Sequence, residues 1–93
     1  MSIFLKDPAA TIDYAVDWSA GYLAGQALAA ADWLVAPVEA GGITLAASRF
    51  EPGRAVATLV GGIAGRVYRI TNRVTFSDGR SDDRTLVVRV EER

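Results

Sequence analysis

The sequence predicts an all-β fold, an antiparallel β-sandwich of six to seven short strands. Two long stretches alternate apolar and polar residues at period two, Tyr68 to Phe76 and Leu86 to Val90, as half-buried strands do. Turn signals also recur roughly every 8–12 residues, the spacing expected of a sandwich. Ninety-three residues that are 51% hydrophobic make one domain near the lower size limit for a self-sufficient core, and much of the apolar content is alanine.

Taken in order, residues 1–10 lack periodicity, although Ile3, Phe4 and Leu5 are apolar. They are expected to be an N-terminal extended arm or an edge strand, with residues 11–93 forming a single sandwich domain. In "TIDYAVDWS" (11–19), Ile12, Tyr14, Val16 and Trp18 fall on one face, with Asp13 and Asp17 on the other. Residues 20–36 are ambiguous. Leu23, Ala27, Ala30, Ala31 and Leu34 stand at helical spacing, but Gly21 and Gly25 would each cost a helix about 1 kcal/mol. Trp33 and Val35 share a face if the stretch is extended, and strand is the reading adopted. "GITLAAS" (42–48) and "RAVATLVGG" (54–62) read as further strands, the latter with Ala55, Ala57 and Leu59 inward.

The last hairpin contains a conflict. Asp78-Gly79 signals a two-residue turn. That turn would set Leu86 opposite Thr71, on the face that carries the arginines, because register fixes the face of every side chain. Burying Leu86, Val88 and Val90 with Ile70 and Tyr68 requires an odd loop or a bulge. The core outweighs the turn preference, so a longer loop or a bulge is expected near residues 78–83.

With no cysteine, neither a disulfide nor a thiolate metal site can supplement the core. No signal-like segment opens the chain and nothing approaches a membrane-spanning apolar run, so synthesis in a bacterial cytoplasm is expected, with no membrane partner. The net charge of −1 hides an asymmetry. Residues 1–53 carry two basic and six acidic groups, and residues 54–93 carry eight arginines and five acids. Salt bridging within the domain accounts for this pattern, and so does a head-to-tail subunit interface. A nucleic-acid partner is not expected, since the domain as a whole is not basic.

Catalysis at neutral pH draws on histidine, cysteine, metals or tuned carboxylates, and the first two are absent. Asp13 and Asp17 lie roughly 13 Å apart on an extended chain at about 3.3 Å per residue, too far for a working pair. Asp78, Asp82 and Asp83 match no calcium-loop spacing, and Arg80 and Arg84 stand among them. "GGIAG" lacks the helix and the Lys-Ser/Thr of a phosphate loop. Enzymatic activity, metals and cofactors are therefore not expected. Tyr14, Trp18, Trp33 and Tyr68 fit the core better than a sugar platform, and Tyr22 is the aromatic expected near the surface. A glycan partner has no further support. Asn72 falls on the inward face between Ile70 and Val74, where an unpaired amide would cost about 1–3 kcal/mol, so a backbone partner is expected.

"TLVGGIAGRVYRI" resembles the turn between strands E and F of fibronectin type III-like and other immunoglobulin-like sandwiches, with Leu59, Gly65 and Tyr68 at the matching places. The resemblance implies a Tyr68 hydroxyl bonded back to the preceding turn. Over nearly its whole length the chain is similar to small Ig-like structural proteins of tailed bacteriophages and prophages, of the fibre–tail adaptor type. Asp13-Tyr14, Asp17-Trp18, Trp33, Gly65, Tyr68, Thr71-Asn72-Arg73, Asp78-Gly79-Arg80, Asp83 and Arg84 carry that similarity. It implies a non-enzymatic virion protein whose partners are other tail, neck or fibre proteins, homo-oligomeric in the assembled particle. A capsid decoration protein is the nearest alternative. Arg69, Arg73 and Arg89 are the candidate interface residues, and Tyr68, Asn72, Trp18 and Trp33 the candidate structural ones.

Overall fold

A computed structural model describes residues 3–19 and 25–92. Seven strands form among them: β1 (Ile3–Lys6), β2 (Ile12–Asp17), β3 (Leu28–Ala36), β4 (Thr44–Glu51), β5 (Arg54–Val60), β6 (Val67–Phe76) and β7 (Ser81–Val90). They build a four-stranded sheet in the order β1-β7-β6-β3 and a three-stranded sheet in the order β2-β5-β4. Leaving β1 aside, the orders β7-β6-β3 and β2-β5-β4 are those of the G-F-C and B-E-D strands in an immunoglobulin-type sandwich. Every pairing is antiparallel except that of β1, which runs parallel to β7 with Ile3 opposite Val87 and Lys6 opposite Val90.

The two sheets close over one core because alternate residues of each strand point inward. One sheet contributes Trp33, Tyr68, Ile70, Val74, Phe76, Leu86, Val88 and Val90, and the other Tyr14, Val16, Ala55, Ala57 and Leu59. Trp18, just past β2, is fully buried edge-on against Phe76. Each large apolar side chain contributes about 1.5–3 kcal/mol when removed from water. The alanines at 55 and 57 contribute less, but they let the facing Tyr and Trp rings enter.

The conflict at the last hairpin is resolved in favour of the core. Ile70 lies opposite Leu86, and Phe76 N–H donates to the Arg80 carbonyl at 2.7 Å around the three residues 77–79. Gly79 supplies the left-handed conformation (φ +92°) that this odd loop needs. Residues 28–36 of the ambiguous stretch form a strand, and Trp33 and Val35 share its inner face. Gly21, Tyr22 and Leu23 lie outside the described residues. The β4–β5 turn ties neighbouring segments together, since Trp18 N–H donates to the Gly53 carbonyl and Leu28 N–H to that of Pro52, each at 2.9 Å.

Candidate interaction surface

The structural candidates fall into two clusters, one at an end of the core and one at its middle. At one end Tyr68, the second residue of β6, is fully buried. Its hydroxyl accepts from Ile63 N–H at 3.2 Å, five residues upstream, and donates to Glu39 Oε1 at 2.7 Å. Burial, reinforced by the bond to Glu39, raises its pKa above the ordinary tyrosine value of 10.0. Gly62 leaves room for this corner. Its φ is +115°, and a Cβ there would stand 2.7 Å from Val90 Cγ2.

In the middle of β6 Asn72 is fully buried. Its Oδ1 accepts from Trp18 Nε1 at 2.8 Å, and its Nδ2 donates to the Asp32 carbonyl at 3.1 Å. One amide thereby joins both sheets to the backbone of β3. Arg84 lies over the Trp18 ring at 5.2 Å, on the register position opposite Asn72. Trp33 is opposite Asn72 on the other side and buried, and its Nε1 has no hydrogen-bond partner among the described residues. Tyr14, Trp18, Trp33 and Tyr68 all lie inside the sandwich, so none of them forms an exposed sugar platform.

The candidate interface residues stand on the outer face of the four-stranded sheet, and all three are exposed. Arg73 lies opposite both Asp32 and Asp83 and pairs with the latter at 3.5 Å. Arg89 pairs with Glu91 at 2.9 Å. Arg69 has no carboxylate within pairing distance among the described residues, and it lies between Val87 and Ala36.

The acids considered for chemistry are occupied locally. Asp13 accepts from the Thr58 hydroxyl at 2.5 Å, and Asp17 from both the hydroxyl and the backbone N–H of Ser19. Those bonds hold Asp17 below the usual carboxylate range. Asp78 caps the last turn through Arg80 N–H and the Arg80 guanidinium, which likewise lowers its pKa. Among the described residues the surface has no pocket.

Three residues make structural contacts that the sequence did not signal. Lys6 is fully buried at the end of β1, and its ammonium donates to the carbonyls of Gly61 at 2.6 Å and Asp7 at 3.0 Å. Burial lowers its pKa, opposed in part by the charge of Asp7. Glu39 and Arg84 likewise meet Tyr68 and Trp18 only through tertiary structure. Sequence spacing does not reveal such contacts, because each partner comes from another strand or loop.

Compared with known families, residues 6–89 match the model for the podophage GP4 fiber-tail adaptor protein gp77. The chain belongs to this family. Membership gives it a structural role in a phage tail, in agreement with the resemblance carried by the Asp13-Tyr14, Asp17-Trp18 and Thr71-Asn72-Arg73 segments. Among curated proteins, no sequence matches the chain.

Proposed function

We propose that this gp77-family chain is a non-enzymatic virion component, an Ig-like adaptor module in the tail, neck or fibre-attachment region. It works by burying protein surface against other phage structural proteins, and it is present in several copies in the particle. The observation that carries this reading is the family match over residues 6–89 on a sandwich whose buried polar side chains are mostly engaged in holding the fold together. The outer face bearing Arg69, Arg73 and Arg89 is its docking side, since exposed arginines on a rigid sheet can take carboxylates bidentately.

The test is the copy number per purified particle, measured by quantitative mass spectrometry. On the order of a dozen copies, as a closed ring at the tail axis would require, supports the adaptor. One copy per shell subunit would make the chain a capsid decoration protein instead. Absence from the particle would overturn both readings.

A further inference from the structure

The outer face of the β1-β7-β6-β3 sheet is apolar where its arginines are least neutralised. Register sets Ile3, Val87, Arg69 and Ala36 side by side in one row, and Leu5, Arg89 and Val67 in the next. Ile3 is 69% exposed, Val67 50% and Leu5 47%, while Leu34, at 53%, lies diagonal to Arg69 on β3. Opposite positions on a sheet are about 5 Å apart, so these side chains form one surface. Arg54, Arg73, Arg80 and Arg89 each have a carboxylate within pairing distance, but Arg69 has none among the described residues. Two of the apolar residues come from β1, so the surface is complete only with that strand docked on β7.

We propose that this composite face docks an acidic, apolar patch of a different virion protein, with Arg69 taking its carboxylate and Ile3, Leu5, Val67 and Leu34 covered by its apolar side chains. The inference rests on the adaptor reading above. Charge and apolar content together select the occupant. Pairing the same face of two copies would crowd Arg69 and Arg89 from both into one interface, and the acids at its far end, Asp32 and Asp83, already face Arg73. The outer face of the other sheet offers Asp13 and Asp17 but no large exposed apolar side chain among the described residues. Leu45 and Phe50, 38% and 43% exposed, sit opposite the buried Leu59 and Ala55 and so belong to the inner side of the edge strand β4, not to its outer face. Either sheet face of a second copy therefore supplies like charge or acids without apolar cover. An Arg–carboxylate pair ringed by apolar side chains loses its water on docking, and such anchors dominate interface energetics.

Two experiments on assembled particles test the proposal. The first compares incorporation of wild-type chain, Arg69→Glu and Leu5→Asp with Arg49→Glu, a control on the opposite sheet. Arg69→Glu and Leu5→Asp should each lower the copies per particle by about tenfold, with unchanged thermal melting of the purified chain. Arg49→Glu should incorporate as wild type. The second places p-benzoylphenylalanine at Val67 and identifies its crosslinked product by mass spectrometry. A different virion protein, joined near an aspartate or glutamate, supports the assignment, whereas another copy of this chain overturns it. Incorporation of Arg69→Glu at the wild-type level, or an equal loss with Arg49→Glu, also overturns it while leaving the adaptor reading intact. Wild-type chain missing from particles overturns the adaptor reading itself, and the proposal with it.

Discussion

At the residue scale, two polar side chains on β6, Tyr68 near its start and Asn72 at its middle, set the geometry of the core. The Asn72 amide holds Trp18 and the β3 backbone together, so Asn72→Ala leaves the Trp18 N–H buried without its acceptor. The expected cost is about 1–3 kcal/mol in urea denaturation. A cycle with Trp18→Phe should return a coupling of about 0.5 kcal/mol or more, because the two groups share one bond. Tyr68→Phe removes both an acceptor for Ile63 and a donor to Glu39 while keeping the ring in place. About 1 kcal/mol should be lost, and no measurable loss would mean that the corner is held by packing alone. The place of Asn72 on the inner face was legible from alternation, since it falls between Ile70 and Val74. Its partners were not, because Trp18 and Asp32 reach it from other strands. Arg84 was hidden in the same way, reading as one of several charges in "SDDR" until register set it opposite Asn72.

At the element scale, the legibility of a strand followed how completely one of its faces is buried. β2 and β6 alternate cleanly because every second residue meets the core, whereas β7 is exposed over Ser81–Asp83 and buried at Leu86, Val87 and Val88 in succession. β3 is blurred by its alanines and by an irregularity between Leu28 and Ala30 that shifts the phase of the pattern. β1 is only four residues long, three of them exposed, and its partner lies at the far end of the sequence, so no local pattern could reveal it. The glycines of the connections allow a graded prediction. Gly79→Ala adds a Cβ in open space at φ +92°, so only backbone strain of about 1–2 kcal/mol is expected. Gly62→Ala combines φ +115° with an overlap on Val90 and should cost more. Thermal melting of the two variants, with Gly62→Ala the lower, checks that order; the reverse order would show that Val90 moves aside at little cost.

At the scale of the whole molecule, pH gives a signature with opposing contributions. Burial raises the pKa of Tyr14 and Tyr68 above 10.0 and lowers that of Lys6 below 10.5. As pH rises past 10.0, the unfolded chain releases tyrosine protons that the folded chain keeps, so the tyrosine contribution falls. Lys6 acts in the opposite sense. Below 10.5 the unfolded chain holds a proton that the folded chain gives up more readily, so its contribution rises with pH through that window. Urea midpoints between about pH 8 and pH 11 should therefore fall at the alkaline end, less steeply in Tyr68→Phe and more steeply in Lys6→Met. Identical slopes in all three proteins would show that neither site is linked to folding.

The parallel alignment of β1 on β7 has a mechanical consequence. Tension applied between Ile3 and Val90 drags the two strands past each other along their length, so their four paired positions share the load and must yield together. An antiparallel partner would instead peel away one bond at a time. The molecule measures 42 × 20 × 18 Å, and the Lys6 ammonium secures the clasp near one end of the β7 strand. Forced unfolding reports the barrier to rupture rather than equilibrium stability. In single-molecule pulling, Lys6→Met should lower the rupture force, and a module built this way can transmit traction between the bodies it joins without unravelling.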